Sequence, residues 1–210
     1  MSKARIAVLV SGGGTNLQAL LDAQDRGELG AAEITYVISN RKAAYALERA
    51  KNHNVETGVL SKVMQPDPVK YDEQLHDMLV SHDIDMIVLA GVLGIVGEKV
   101  LEKYSGKIVN IHPALIPSFC GPGYYGLRVH EEALKYGVKL SGATVHFVSE
   151  ECDGGPIIAQ KSVAVQCDDT PETLQRRIME EAEWKLLPMA VSLFCQDKIR
   201  VEGRNVIIKE

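Results

Sequence analysis

Arg5-Ile6-Ala7-Val8-Leu9-Val10-Ser11-Gly12-Gly13-Gly14-Thr15-Asn16-Leu17 passes from a short apolar run through consecutive glycines into a helical pattern. A Val- and Ile-rich run without polar alternation marks a strand buried on both faces, as in a parallel sheet. The glycines let the backbone turn sharply and approach a ligand, and the first N–H groups of the helix behind them suit an anion. Neither nucleotide fingerprint is complete. No Lys-Ser/Thr pair makes a Walker loop, and Leu17 stands where a dinucleotide fold needs its third glycine. One phosphate monoester held by Gly14, Thr15 and Asn16 is the functional reading. A tight turn before a capped helix is the structural one.

Outward from this stretch the same rhythm repeats. Apolar runs at 5–10, 34–39, 86–90 and 107–111 alternate with helical patterns at 17–24, 43–53, 69–82 and 96–104. Alternating strands and helices predict a parallel α/β sheet. A fifth helix is expected over 128–136, with Gly137 as its C-terminal cap. Beyond it, 140–148 and 156–165 read as long strands with no room for a crossover helix, hence antiparallel neighbours. A last helix is predicted from 171 to 195, with Thr170 as N-cap and Pro171 in first position. Two short strands at 199–201 and 205–208 close the chain. The expectation is an open, mostly parallel, Rossmann-like α/β sheet, helices on both faces, with an antiparallel C-terminal part. No repeat or linker interrupts residues 1–210, so a single domain is expected.

Composition narrows the function classes. The chain has 210 residues, a formal net charge of −5 and no long run of like charges, so the basic footprint of a nucleic-acid binder is missing. No stretch reaches the roughly 20 apolar residues of a membrane span, and the first apolar run lacks a signal-peptide cleavage region. Cys120, Cys152, Cys167 and Cys195 are scattered without a Cys-x-x-Cys pair. Reduced thiols in a cytoplasmic protein are expected, without a zinc site.

The chemistry concentrates in two segments, Asn110-Ile111-His112-Pro113 and Cys152-Asp153-Gly154-Gly155-Pro156. Asn110 and His112 are two apart, so in extended backbone they share a face at the carboxyl end of a strand. An amide, an imidazole and a carboxylate together can bind a developing oxyanion and move a proton. Transfer of a small acyl group to an amine fits that set. The plain alternatives are a structural histidine and an Asp-Gly turn, although a simple hairpin needs fewer residues than this loop holds. His53, His76 and His82 fall on helical stretches and are expected to face solvent. His130 and His146 are placed to line the pocket without doing chemistry. No recognised ligand spacing links His112, His130, His146 and Asp153 to a metal.

Taken in order, Ser11–Leu17, Val88-Leu89-Ala90-Gly91, Asn110-Ile111-His112-Pro113-Ala114-Leu115-Ile116-Pro117, Gly142-Ala143-Thr144-Val145-His146-Phe147-Val148 and Asp153-Gly154-Gly155-Pro156-Ile157-Ile158 resemble the motifs of the phosphoribosylglycinamide formyltransferases. The resemblance implies a formyltransferase fold and a step of de novo purine synthesis. In it, the amine of 5'-phosphoribosylglycinamide takes the formyl group of 10-formyltetrahydrofolate, a cosubstrate, without a metal. It implies Asn110, His112 and Asp153 as the catalytic set. Asn110 and His112 stabilise the oxyanion, and Asp153 raises the pKa of His112 and helps relay the proton. It further implies Gly14, Thr15 and Asn16 on the phosphate and Glu183 on the ribose hydroxyls. Leu93, Gly94, Ile95 and Val96, with Asn110, lie along the pterin. It implies small-molecule partners, and a monomer or homodimer is expected.

The chain departs from the family at several places. Gly94 replaces a frequent Arg, and Pro68 a frequent basic residue, leaving Lys70 as the substitute for contacts to the folate tail. The segment 118–127 is longer than usual and glycine-rich, so it reads either as a lid or as a rigid extension. One extra residue separates Arg177 from Glu183, leaving Met179 or Glu180 to face the phosphate. The hydrolase and methionyl-tRNA branches of the superfamily carry a further domain that this sequence does not display. A non-catalytic module for a sugar phosphate is the alternative outside enzymology.

Overall fold

In the computed structural model, which describes residues 3–92 and 96–209, the first apolar run becomes β1 (Ala4–Val10), with Ile6 through Val10 wholly buried. β2 (Ala32–Ser39) and β4 (Met86–Ala90) pair with it in parallel on either side. β3 (Glu56–Val59) extends the sheet in parallel beyond β2. With β5 (Ile108–His112), β6 (Leu140–Phe147) and β7 (Ile157–Ala164), the seven-stranded order is β3-β2-β1-β4-β5-β6-β7. β6 and β7 pair antiparallel at one edge, as expected for strands joined without a crossover. β8 (Ile199–Glu202) and β9 (Asn205–Ile208) form a separate antiparallel pair.

By its internal contacts the chain divides into two compact units, Met1–Val109 and Asn110–Glu210. In the first, the sheet grows from β1 towards β2 and β3, then returns to add β4 on the opposite side. Such a reversal opens a crevice at the carboxyl end of the central strand. The residues just beyond Val10 occupy that end. α1 (Thr15–Asp25) follows the glycine turn and buries Leu17, Leu20 and Leu21. α2 (Tyr45–Asn52) and α3 (Pro68–Ser81) come next. α3 starts on Asp67, whose carboxylate accepts from the Val69 and Lys70 N–H groups, and Tyr71, Leu75 and Leu79 form its buried stripe at four-residue spacing. The same helix buries Asp72, which accepts from Gly97 N at 3.0 Å and Lys99 N at 2.7 Å and so holds the start of α4 (Glu98–Lys103). His82, expected in solvent, instead stacks on Tyr36 with ring centroids 3.8 Å apart. The flat imidazole covers the phenol, which also places its Nε2 at 3.1 Å from Glu56.

In the second unit α5 (Leu127–Tyr136) ends at Gly137, whose φ of 83° is the left-handed cap anticipated for it. α6 (Pro171–Ile178) carries the expected N-cap, strengthened to a reciprocal capping box between Thr170 and Thr173. The last helix is not uniform. A π-turn at Met179–Glu183 separates α6 from α7 (Trp184–Cys195). Arg177 anchors the preceding turn through a bidentate pair with Asp169, at 2.7 and 2.6 Å.

Candidate active site

β5 ends on Asn110 and His112, both extended, with His112 buried and Asn110 half-buried. The 149–155 loop delivers Asp153 from the other direction, at a φ of 54°. The three sequence-predicted residues meet, but not as a simple chain. His112 Nδ1 lies 3.7 Å from Asp153 Oδ2, beyond a direct hydrogen bond. His146 on β6 stands between the other two: its Nε2 is 3.2 Å from Asn110 Nδ2, within hydrogen-bond reach, and 3.6 Å from Asp153 Oδ1, beyond it.

Hydrogen-bond valence assigns the imidazole tautomers. His146 Nδ1 faces the Phe147 carbonyl at 2.8 Å, so it carries a proton and donates. Its Nε2 faces the Asn110 amide nitrogen at 3.2 Å. That contact fixes which end of the amide donates elsewhere. His112 Nε2 lies 2.8 Å from the Phe119 carbonyl and therefore donates too. Its Nδ1 is left facing a carboxylate, an arrangement that becomes favourable only when a second proton arrives. Asp153 is itself steadied by the Gly121 N–H at 2.8 Å from Oδ2. Sequence pattern sets His146 only along the pocket and 118–127 only as a lid or a rigid extension, and marks neither set of contacts. Period-two spacing places His146 on one strand face, yet nothing local marks its partners.

The electrostatics oppose one another. Burial pushes the His112 imidazole below its ordinary 6.5, while the Asp153 charge and the Phe119 carbonyl push it up; burial wins. The sequence reading anticipated a His112 raised by Asp153. The carboxylate acts in that direction, but desolvation outweighs it. Asp153 also loses solvation, yet His146, the Gly121 amide and His112 together hold its carboxyl below the usual range. At neutral pH the resting pair is a neutral imidazole beside a carboxylate. His130, wholly buried near His112, is pushed down to about 4 by burial and is neutral as well. NMR titration of the His112 ring is expected to give a midpoint below 6.5, and an Asp153→Asn variant a lower one still, because the supporting charge is gone. An unchanged or higher midpoint in the variant would contradict this balance.

In the first unit the glycine turn is built for close approach. Gly14 sits at a φ of 71° as N-cap of α1, and a Cβ there would meet Ala46 Cβ at 2.6 Å. Only glycine fits both the conformation and the space. No side chain caps α1, so Thr15 and Asn16 open a helix whose first amides are not covered by their own N-cap. Arg49 secures the turn, donating from Nε to the Gly13 carbonyl at 2.8 Å and from Nη1 to Gln18 at 2.9 Å. Glu183 is buried at the end of the π-turn; Met179 is half-buried and Glu180 exposed. Val96 is half-buried just ahead of α4, and Lys70 is exposed on the first turn of α3. Leu93, Gly94 and Ile95 lie outside the described residues. Among the described residues no group of three or more His, Cys, Asp or Glu side chains is arranged to hold a metal ion. No helix there is long and apolar enough to cross a membrane.

The mostly parallel sheet with its antiparallel edge is that of an α/β protein of the transferase class. The chain belongs to the formyl transferase family, whose model matches residues 4–191. The phosphoribosylglycinamide formyltransferase of Haemophilus influenzae is 38% identical over 94% of this chain and 90% of its own length. The crystal structure of glycinamide ribonucleotide transformylase 1 from Symbiobacterium toebii superimposes with a TM-score of 0.93 at 40% identity, covering 99% of this chain and 95% of that one. The trifunctional purine biosynthetic protein adenosine-3 of Homo sapiens is 39% identical over 99% of this chain, which spans only 20% of that protein.

Proposed function

We propose that this chain transfers the formyl group of 10-formyltetrahydrofolate to the amine of 5'-phosphoribosylglycinamide, giving formylglycinamide ribonucleotide and tetrahydrofolate. The observation that carries the proposal is the buried cluster in which Asn110, His112 and Asp153 converge, with one imidazole N–H already paired to a carbonyl oxygen. The near-complete mutual coverage with relatives bearing that name supports the choice of substrates.

The chemistry follows from those groups. The neutral amine attacks the formyl carbon, and the carbonyl oxygen gains negative charge. Asn110 Nδ2–H and His112 Nε2–H meet that oxygen, the latter exchanging the Phe119 carbonyl for a stronger, anionic acceptor. The proton lost by the amine enters the cluster, where His112 Nδ1 can hold it against Asp153. The C–N bond to the folate then breaks, and the folate nitrogen takes a proton back. A pair whose second proton is stabilised only during the reaction acts on the transition state more than on the ground state.

The remaining assignments belong to the same reading. Gly14, Thr15 and Asn16 take the phosphate on the open end of α1, and Glu183 takes the ribose hydroxyls. Leu93, Gly94, Ile95 and Val96, with Asn110, follow the pterin, and Lys70 serves the folate tail. Asp72, holding Gly97 and Lys99, sets where the pterin stretch ends. One family model runs through both compact units, which supports reading 1–210 as a single formyltransferase domain. The four free thiols fit a reducing cytoplasm.

The test mixes the protein with both substrates and follows folate absorbance together with the mass of the ribonucleotide. A gain of one formyl group is expected. Release of formate without that gain marks a hydrolase instead, and ribonucleotide binding without turnover marks a binding module.

A further inference from the structure

The glycine turn ahead of α1 is tied to α2 through its carbonyl oxygens. Gly12 accepts from the Ala46 N–H at 3.0 Å, and Gly13 accepts from Arg49 Nε at 2.8 Å. Ala46 lies in the first turn of α2, whose N-cap Ala44 supplies no side-chain acceptor. The Gly12 oxygen therefore satisfies a donor that the helix itself leaves open. Both peptides are trans, and in a trans peptide the N–H points opposite to the C=O. The Gly13 and Gly14 N–H groups are thereby aimed away from α2, next to the amides of Thr15 and Asn16 at the start of α1. Successive backbone N–H groups in a turn make an anion-binding concavity. Packing does not fix these two peptides: Gly12 and Gly13 are exposed, and a Cβ on either would meet nothing within 4 Å. Their carbonyl partners hold them.

Of those partners, Ala46 is fixed by its helix, whereas Arg49 is a long side chain that loses much freedom when held in one place. Three contacts hold it there. Besides the Gly13 oxygen, its Nη1 donates to Gln18 Oε1 at 2.9 Å, and its guanidinium lies over the Tyr45 ring, 5.0 Å from the centroid. Gln18 is oriented in turn. Its Nε2 donates to the Asp22 carboxylate at 2.7 Å, which leaves Oε1 as the end that meets Arg49. The same Nε2 lies 3.1 Å from His53 Nε2, and His53 Nδ1 lies 3.1 Å from Asp25 Oδ2. A continuous chain of polar contacts thus runs from the end of α1, through the residue that caps α2, to the Gly13 peptide.

We infer that Arg49 is a positioning residue for the ribonucleotide phosphate: held by Gln18, its guanidinium fixes the Gly13 peptide, and that peptide presents the Gly14 N–H to the anion. This role of Arg49 rests on the phosphate placement proposed for Gly14, Thr15 and Asn16. It requires no contact between Arg49 and the ligand, and it makes Gln18 matter although Gln18 faces Arg49 and not the anion.

The test measures, by titration calorimetry on the whole protein, the affinity for 5'-phosphoribosylglycinamide and for the same molecule without its phosphate. The parent is expected to prefer the phosphorylated form, and the ratio of the two affinities reads the phosphate alone. Arg49→Ala is expected to shrink that ratio about tenfold or more, the loss for a hydrogen bond to a charged group. Affinity for the dephosphorylated ligand stays parental, which also shows that the variant is folded. Arg49→Lys keeps the charge without the planar fork and is expected to recover little. Lys51→Ala, which removes a cation of α2 paired with Glu48, is expected to match the parent. Gln18→Leu shrinks the ratio in the same direction, and joining it to Arg49→Ala adds nothing, since both act on one peptide. A parent that binds both ligands alike overturns the phosphate placement, and the role of Arg49 with it. A parent that discriminates, beside an Arg49→Ala protein that discriminates equally, overturns the role of Arg49 alone. Full recovery in Arg49→Lys makes charge the cause and overturns it too, and losses that multiply in the double variant overturn the part given to Gln18.

Discussion

An Asn110→Ala variant is expected to fold normally and to transfer formyl groups about 10²–10³-fold more slowly than the parent, the usual loss for one oxyanion donor. The side chain is only half-buried and its hydrogen bond is to a single ring, so little of the fold depends on it. Its value lies in direction. His146 holds one N–H of the amide at 3.2 Å, which orients the group before substrate arrives and removes the need to reorganise during the reaction. His112→Ala is expected to cost at least as much, since it removes a donor and the proton carrier together. The double variant is expected to fall well short of the product of the two single losses, because both act on one oxygen. Single-turnover rates on protein with an unchanged circular dichroism spectrum check this. Near-parental turnover in Asn110→Ala removes the amide from the mechanism.

The strand framework was legible because burial on two faces leaves an unmistakable composition. Ile6 through Val10 and Met86 through Leu89 have no polar residue to interrupt them, and a solvent-facing strand would need one. β3 was not legible for the converse reason. Glu-Thr-Gly-Val is an edge strand with an exposed acid and a glycine, held by its ladder to β2 more than by burial. The π-turn in the last helix is not marked by any local signal in the sequence. Periodicity across 171–195 averages over such a turn and hides it.

The candidate site was legible to the extent that its groups sit at strand ends. Asn110 and His112 share a face because they are two residues apart in extended backbone, and that needs no tertiary information. The link through His146 does need it, since 36 residues separate it from Asn110. The sign of the His112 shift likewise depends on how completely the ring is buried. Sequence supplies the charge of Asp153 but not the desolvation that outweighs it. Phe119 and Gly121 contribute through main-chain atoms, so their side-chain identities carry no trace of the role.

Gly155→Ala is expected to damage both stability and turnover, whereas Gly154→Ala, one residue earlier, is expected to be nearly silent. A Cβ on Gly155 would stand 1.8 Å from the Phe147 carbonyl oxygen and 2.8 Å from its carbon, so the backbone itself must move. A Cβ on Gly154 would meet only the Glu151 side chain, at 2.5 to 2.6 Å, and that exposed side chain can swing into solvent. The Phe147 carbonyl is also the acceptor for His146 Nδ1–H, and the Phe147 N–H donates to Pro156 at 2.9 Å. Displacing this one peptide therefore loosens the join between β6 and β7 and rotates the ring that aligns Asn110. Overpacking of this kind costs about 1–3 kcal/mol, which for a chain of this size lowers the melting temperature by roughly 2–12 °C. Turnover is expected to fall further than the folded fraction, because the amide loses its orientation even in molecules that remain folded. Paired thermal melts and single-turnover rates on the two glycine variants separate these effects. Equal behaviour of the two variants, or a Gly155→Ala protein that melts earlier yet turns over normally per folded molecule, would show that the Phe147 peptide does not set the geometry of the site.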